Sequence, residues 1–422
     1  MMRFGQARPL TLLNARLVGA DATVLTTLRI AGQRVADIGG PLISGDRVVD
    51  MGGAFVYPGL INAHDHLELN NFPRLKWRDR HDNARDWIDG FPSRFKTDPR
   101  LSEPLKVPLA DRLLLGGIKN LLSGVTTVCH HNPLFRGLRR GPGSSRLGGP
   151  QYPVRVVERY GWSHSLQVDG DRKVARAYQC TPRDWPWIIH AAEGTDAQAA
   201  GELDRLDKLD CLGANTVLVH GVGLTAADQA RLIEQGGGLV WCPSSNLFML
   251  AATADVGALS RAGRVALGSD SRLTGERDLL SELQVAARTR QVDGKALFEM
   301  VTTRAAAVLR LPDAGRLAPG LPADLMVLPA QYADPIENLL AAERSALSLV
   351  MAGGAALYGD RSLLPGFWDD RRPVAPVVVD GVAKWLRRDL AERVWANGAQ
   401  EPGLLSDHTG AAQLEAATKV PV

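Results

Sequence analysis

The sequence has little cysteine, little net charge and no long apolar run. Its four cysteines, Cys129, Cys180, Cys211 and Cys242, show no paired spacing, which argues against a disulfide framework and a structural zinc site. We expect them to be core thiols. The formal net charge is +3, from 49 basic and 46 acidic residues, so nucleic acid and anionic membrane surfaces are not expected partners.

No apolar stretch reaches transmembrane length, and Asn14 and Arg16 interrupt the apolar N-terminal piece before a signal-peptide core could form. We therefore predict a cytoplasmic protein whose partners are small molecules or copies of itself. With 422 residues, 45% of them apolar, the chain can form a large barrel with a satellite domain.

The chain does contain a series of short apolar runs, each followed by a residue that can bind metal or move protons. The run beginning at Phe55 leads into His64-Asp65-His66, and three later runs end in His190, His220 and Asp270. Such runs, separated by helix-like segments, are typical of buried parallel strands. The carboxyl ends of these strands carry the chemistry of a βα-barrel.

Two histidine pairs stand at such strand ends. His64 and His66 are two residues apart on an extended backbone, so both imidazoles can reach one divalent ion. This pair alone is weak evidence, because a buried histidine is more often a satisfied core residue. His130 and His131 are adjacent and point to opposite sides of a strand. Either one contacts substrate or both are loop histidines; we favour the second interpretation and assign neither to the metal.

The order His-x-His, His, His, Asp resembles the metal-dependent amidohydrolase superfamily. Three segments resemble the branch that contains the cytosine, guanine and adenosyl-type deaminases and the triazine hydrolases: His190-Ala191-Ala192-Glu193, Cys242-Pro243-Ser244-Ser245-Asn246 and Leu267-Gly268-Ser269-Asp270-Ser271. This resemblance implies a distorted (β/α)8 TIM barrel with a small discontinuous β-sandwich domain formed by both chain ends. The predicted divisions are 1–57 with 311–365 for the sandwich, 58–310 for the barrel and 366–422 for a C-terminal helix and loose tail.

Patterns in the terminal regions agree with this division. Alternating apolar stretches between Leu10 and Met51 predict a small antiparallel sheet, and the segment from Gly315 to Leu328 resembles the family's return strand. Four apolar residues share one face of a predicted C-terminal helix: Val382, Leu386, Leu390 and Val394.

Two loops have open interpretations. The aromatic stretch from Asn70 to Lys96 either covers the active site as a long first βα loop or packs on its own barrel. The Gly- and Arg-rich stretch 134–151 either clamps an anionic substrate group or is a solvated loop, and we favour the solvated loop.

The resemblance also implies the roles of the site residues. One divalent ion, zinc with iron as the alternative, would be bound by four ligands: His64, His66, His190 and Asp270. Glu193 would pass protons between water, ring nitrogen and leaving amine, His220 would polarise the bond under attack, and Asp270 would also accept a proton from water. His164, Ser245 and Asn246 would contact the substrate. No lysine stands at a strand end between His131 and His190, which argues against a carboxylated lysine that would bridge two metal ions. We therefore expect a single ion.

The predicted function is hydrolytic deamination of a nitrogen heterocycle, such as a purine, pyrimidine, pterin or triazine, by hydroxide on the ion. One alternative keeps this site but hydrolyses an amide, a urea-like bond or a bond to another leaving group. A second alternative, from another class, is a catalytically silent barrel used for binding or assembly.

Overall fold

The computed structural model describes residues 8–139, 141, 151–367 and 373–407. Arg140, Arg146 and the tail segment 408–422, which belong to the predictions above, lie outside the described residues. Within the described ranges, no helix combines the length and apolar character that crossing a bilayer requires.

Two groups of strands follow from the apolar runs of the sequence. Strands from both chain ends form one large sheet, and eight strands between them form the barrel. In chain order they are β1 (Leu10–Val18), β2 (Thr23–Ala31), β3 (Arg34–Ile38), β4 (Arg47–Asp50), β5 (Phe55–Pro58), β6 (Leu60–Asp65), β7 (Val125–His130), β8 (Arg155–Val156), β9 (Gly161–Ser165), β10 (Trp187–Ala191), β11 (Thr216–His220), β12 (Gly238–Trp241), β13 (Val265–Leu267), β14 (Leu325–Leu328), β15 (Leu349–Ala352), β16 (Ala355–Asp360), β17 (Val374–Val379), β18 (Val382–Arg387) and β19 (Leu404–Ser406).

The helices lie mostly between the barrel strands and after them. They are α1 (Ala84–Ile88), α2 (Phe91–Arg94), α3 (Pro99–Lys106), α4 (Leu109–Leu122), α5 (Leu166–Asp169), α6 (Asp171–Cys180), α7 (Ala197–Ala200), α8 (Glu202–Lys208), α9 (Ala226–Glu234), α10 (Pro243–Leu250), α11 (Gly257–Arg261), α12 (Leu279–Thr289), α13 (Gly294–Met300), α14 (Thr303–Val308), α15 (Pro335–Leu340), α16 (Leu364–Phe367) and α17 (Arg388–Trp395). Their ends follow local chemistry. For example, Thr225 and Asp228 form a capping box that starts α9.

Strands β6 to β13 form a (β/α)8 barrel from two parallel sheets, β6-β7-β8 and β9 to β13. Small and branched side chains fill its interior, among them Ile61, Ile188, Val240 and Ala266. Strand β8 has only two residues, and residues 157–160 connect it directly to β9. Because these strands are parallel, their carboxyl ends lie on one face of the barrel.

The chain ends share one mixed sheet, in which β5 pairs antiparallel with β14 and parallel with β1. The predicted antiparallel N-terminal pairing is confirmed for β1 with β2 and for β2 with β3, but it is wrong for the pairing of β1 with β4, which is parallel. Short-range alternation identifies strands, but it does not identify partners that are distant in the chain. The division into a β domain at 1–57 and 311–365, a barrel at 58–310 and a C-terminal segment stays a prediction.

Two local predictions need correction. The helix predicted through Val382 and Val394 is a strand, β18, followed by the helix α17, because Val382–Arg387 pairs with β17 and β16 in the sheet. Apolar residues four apart fit a helix, but pairing with a strand on each side overrides that local preference. Cys129, Cys211 and Cys242 are buried, whereas Cys180 is exposed because it is the last residue of α6.

The segment around Glu401, predicted to be loose, is anchored by buried ion pairs. The Glu401 carboxylate accepts hydrogen bonds from Arg272 Nη1 and Nη2 at 2.8 and 2.7 Å and from Arg344 Nη1 at 2.5 Å. Arg344 also donates to both carboxylate oxygens of Asp380 at 2.8 Å. Arg272 follows the strand end that carries Asp270, so the C-terminal segment is attached next to the barrel mouth.

The substitution Glu401→Gln is expected to lower the free energy of unfolding by roughly 3–5 kcal/mol, because it leaves the buried Arg272 guanidinium without a carboxylate. Chemical denaturation followed by circular dichroism measures this. The matched control is Glu103→Gln, whose carboxylate pairs with Lys106 at the surface and should contribute less than about 1 kcal/mol. Equal, small effects of both substitutions would contradict this account.

Candidate functional site

Four side chains that the sequence places at separate strand ends meet on one face of the barrel. His64 and His66 lie at the end of β6, His190 lies on β10 and Asp270 follows β13. The Nε2 atom of His190 is 3.3 Å from Nε2 of both His64 and His66. Asp270 Oδ1 lies 3.8 Å from His64 Nε2 and 3.9 Å from His66 Nε2. These atoms face a common point, as the ligands of a single ion would.

The neighbouring strands must approach closely for this arrangement. A Cβ atom at Gly268 would lie 2.6 Å from His64 Cβ, so a glycine is needed next to the metal-site histidine. The backbone N–H of Asp270 donates to the His64 carbonyl at 3.1 Å, which links the strand ends of β13 and β6.

The Asp270 carboxylate is held by three hydrogen bonds. Ser245 Oγ and Thr274 Oγ1 donate to Oδ2 at 2.8 and 2.9 Å, and the Ser271 amide donates to Oδ1 at 2.7 Å. Burial alone would raise the pKa of Asp270, but the nearby His66 and His220 and these hydrogen bonds hold it below its usual range. Asp270 is therefore ionised at neutral pH and can act as a ligand.

The tautomer of His190 suits metal binding. Its Nδ1 lies 2.8 Å from the carbonyl oxygen of His164, and a carbonyl can only accept, so the proton is on Nδ1 and the Nε2 lone pair faces the site. Burial lowers the pKa of His64 and of His190 well below the usual histidine range. Neutral imidazoles with free Nε2 lone pairs are what a divalent cation requires.

Glu193 and His220 form a second pair beside the four candidate ligands, with 3.4 Å between Glu193 Oε1 and His220 Nε2. Burial, with a smaller contribution from the negative charge of Asp270, raises the pKa of Glu193 well above its usual range. Burial lowers the pKa of His220 to about 4. A carboxyl group with a raised pKa therefore lies next to a neutral imidazole, an arrangement suited to proton transfer.

The backbone that carries these groups is strained. Ala192, His220 and Asp270 have φ of 53°, 78° and 51°, values that non-glycine residues seldom adopt. Such conformations cost free energy and persist where the surrounding contacts enforce them, often at functional sites.

Two hydrogen bonds hold the backbone at Ala192 and Glu193. The Glu202 carboxylate accepts the Ala192 amide hydrogen at 2.7 Å, and the Ala84 amide donates to the Glu193 carbonyl at 2.9 Å. Ala84 starts α1 in the stretch Asn70 to Lys96. This contact supports the interpretation of the stretch as a loop over the barrel mouth.

The predicted substrate contacts are in different surroundings. His164 lines a cavity together with Glu193, His190 and Arg85. Ser245 and Asn246 are buried, and both hydrogen bond to other site residues, Ser245 to Asp270 and Asn246 to His220. Their contact with substrate stays a prediction.

The favoured interpretation of His130 and His131 as loop histidines is wrong for His130, which is the last residue of β7. His131 lies in the bend that follows, and both side chains are buried. His131 stacks on His190 with 4.1 Å between ring centroids, and its Nε2 donates to the Ser163 carbonyl at 2.9 Å. The sequence signal was their position at a strand end. Their adjacency predicts side chains on opposite sides of one strand. Because β7 ends at His130, that alternation does not extend to His131.

Sequence reasoning also missed a buried ion pair behind the site. Lys119 Nζ on α4 lies 3.2 Å from Asp65 Oδ2 and donates to the Asp270 carbonyl at 3.0 Å. Asp65 stands between the two metal-site histidines. The available signal is that Lys119 is the one charged residue between Leu113 and Leu122 of α4, since burying a charge requires a partner.

Comparison with known proteins identifies a family domain and several relatives by sequence. The amidohydrolase family profile matches residues 182–382. The 8-oxoguanine deaminase of Pseudomonas aeruginosa is 25% identical over 386 residues, covering 71% of this chain and 81% of that protein. The 5-methylthioadenosine/S-adenosylhomocysteine deaminase of Nitratidesulfovibrio vulgaris is 26% identical over 412 residues, covering 82% and 87%.

Solved structures share the fold. A triazine hydrolase variant superposes with a TM-score of 0.68 and 18% identity over 83% of this chain and 95% of its own. An adenosine deaminase from Xanthomonas campestris with bound zinc gives a TM-score of 0.65 and 19% identity over 82% and 92%. The predicted resemblance is confirmed: the chain contains an amidohydrolase family domain, and the relatives named above are deaminases.

Proposed function

We propose that this chain catalyses the hydrolytic deamination of a nitrogen heterocycle of the purine, pyrimidine, pterin or triazine kind. The observation that carries the proposal is the position of Glu193 and His220 beside four convergent candidate metal ligands. The relatives named above, which are deaminases of 8-oxoguanine and of methylthioadenosine or S-adenosylhomocysteine, support the same reaction class.

The residues present fit one divalent ion. Three buried Nε2 atoms, of His64, His66 and His190, form a group whose ligand atoms lie within 4.8 Å of one another, and Asp270 adds a carboxylate. We propose zinc, with iron as the alternative, because imidazole and carboxylate suit both metals. When bound, such an ion lowers the pKa of a coordinated water towards neutrality.

In this proposal Glu193 is the proton shuttle. With its pKa raised by burial, the carboxyl group can protonate the ring nitrogen next to the carbon under attack. The resulting carboxylate can then take up the second proton of the attacking water, from the hydroxyl group on the attacked carbon, and deliver it to the amine that leaves as ammonia. The proton that Asp270 took from the water restores the protonated Glu193. General acid–base transfer of this kind is most effective when the pKa of the group lies near the working pH.

The other two catalytic groups act on the water oxygen. Asp270 accepts the proton that the attacking water loses. It can do so because it is ionised and lies beside the candidate metal ligands, with Oδ1 3.8 Å from His64 Nε2. His220 donates a hydrogen bond from its ring to the attacking oxygen and stabilises the negative charge that develops there. Breaking the exocyclic C–N bond then releases ammonia and leaves a carbonyl group on the ring.

The substrate is proposed to lie in the cavity lined by His164, Glu193 and His190. His164 faces this cavity from the end of β9 and is the best placed of the predicted contacts. Cytoplasmic location and self-association stay predictions.

The test is the metal content of purified protein, followed by an ammonia-release screen over purines, pyrimidines, pterins and triazines in the same preparation. We expect about one ion per chain, the number a single four-ligand site holds, and ammonia from at least one compound. One ion without ammonia would overturn deamination in favour of another leaving group. Protein that takes up no ion when metal is supplied would overturn the whole site and favour the silent barrel.

A further inference from the structure

The surroundings of His220 differ from those of His190, its neighbour at the barrel mouth. Its Nδ1 lies 2.8 Å from the side-chain nitrogen of Asn246 on α10, whereas Nδ1 of His190 faces a carbonyl oxygen. The two rings are stacked with 5.3 Å between centroids. Because an amide nitrogen donates and a carbonyl accepts, the two neighbouring imidazoles must carry their protons on different nitrogens.

The orientation of the Asn246 amide is fixed by a chain of hydrogen bonds that begins at Trp241. The indole Nε1–H of Trp241, which can only donate, donates to Thr253 Oγ1 at 2.7 Å. The Thr253 hydroxyl then has its own proton to donate, and it donates to Asn246 Oδ1 at 3.4 Å. With Oδ1 occupied as an acceptor, the Asn246 Nδ2–H points at His220 Nδ1.

These hydrogen bonds determine the tautomer of His220 and therefore whether its Nε2 donates or accepts in the site. A neutral ring whose Nδ1 accepts a hydrogen bond carries its proton on Nε2. That Nε2–H points into the site, 3.4 Å from Glu193 Oε1. A protonated Nε2 cannot ligate a metal ion, but it can donate a hydrogen bond to an oxygen or a leaving nitrogen.

We propose that Trp241, Thr253 and Asn246 are positioning residues that hold His220 in its Nε2–H tautomer, so that His220 donates to the reacting atoms and is excluded as a metal ligand. His190, whose Nδ1–H donates to the His164 carbonyl, is the opposite case and stays available to the ion. The inference deepens the proposed function and rests on it for the role of His220, but not for its tautomer.

The local sequence explains how three residues meet behind one ring. Trp241 ends β12, Asn246 lies on the second turn of α10, and the left-handed residue Ala251, with φ of 52°, ends that helix. The chain therefore reverses and brings Thr253 back against Trp241 and Asn246. Asn246 is buried.

The test is ¹⁵N NMR of histidine-labelled, metal-free protein, which reads the tautomer without substrate or metal. In the wild type we expect a pyridine-like Nδ1 and a pyrrole-like Nε2 for His220, assigned by their loss in His220→Gln. The isosteric substitution Asn246→Asp replaces the donor by an acceptor and is expected to move the proton to Nδ1. A wild-type His220 protonated on Nδ1, or an unchanged tautomer in Asn246→Asp, would overturn the proposal.

Two further variants separate positioning from folding. Thr253→Val removes the hydroxyl that orients the amide and is expected to give a mixture of tautomers, while Thr253→Ser restores the single Nε2–H form. With metal restored, Asn246→Asp should lower kcat for ammonia release by about 10²-fold or more, the usual cost of losing one such donor, with a smaller change in KM. A change in KM alone, with kcat intact, would contradict the positioning role of Asn246. If no compound releases ammonia, the proposed function fails while the NMR result still decides the tautomer.

Discussion

Replacing Glu193 with glutamine is expected to lower kcat for ammonia release by about 10²–10⁴-fold, the range that a general acid–base group contributes. Glutamine keeps the size of the side chain and can still hydrogen bond to His220 Nε2–H, but it cannot take up and release a proton. The metal content should stay unchanged, because the Glu193 carboxylate is not among the four candidate ligands. Steady-state kinetics and elemental analysis of the same samples provide both measurements.

The matched control for this prediction is Glu234→Gln, an exposed glutamate at the end of α9, which should leave kcat within about twofold because nothing at the site depends on it. Full activity in Glu193→Gln would remove the proton-shuttle role while leaving the metal site intact. Loss of both activity and metal would instead show that Glu193 organises the ligands. The two failures are therefore distinguishable.

The barrel part of the fold was predictable because its signals are local. Apolar runs a few residues long predict the strand ends at His190, His220 and Asp270. Runs of this kind fix the residue that follows a strand. In a parallel barrel, that residue lies at the mouth.

The contacts behind the site were not predictable in the same way, since they join residues far apart in the chain. Arg272 and Glu401 are 129 residues apart. Strands β5 and β14 pair although all eight barrel strands lie between them in the sequence. Charged residues of opposite sign are too common for such a pairing to be read from one sequence. The resemblance supplied the idea of a shared terminal domain, but not the strands β17 and β18.

The chemistry of individual side chains was predictable in type and not in geometry. Asn246 and Ser245 were expected to face the substrate, and the structure shows them donating to His220 and Asp270. The motif therefore identified residues that matter to the site. Whether a polar side chain contacts the substrate or another protein group depends on its rotamer and on strand register, which sequence patterns do not encode.

Replacing His190 with alanine is expected to abolish stoichiometric metal binding. Even the loss of a hydrogen-bond partner of a ligand weakens metal affinity by roughly 10–100-fold, and this substitution removes a ligand whose Nε2 is 3.3 Å from those of His64 and His66. In the wild type, added zinc at 100 times the dissociation constant should stabilise the fold by about 2.7 kcal/mol. That stabilisation should disappear in His190→Ala.

The comparison variant is His164→Gln, which removes the neighbouring ring but keeps the backbone carbonyl that accepts the His190 Nδ1–H. It should therefore retain the ion, whatever its effect on substrate binding. Elemental analysis after dialysis, together with thermal unfolding at several zinc concentrations, decides the outcome. A His190→Ala protein that still holds one ion per chain would move the metal to other ligands. Equal loss in both variants would show that the backbone around β9 and β10, and not the His190 imidazole, determines whether the ion binds.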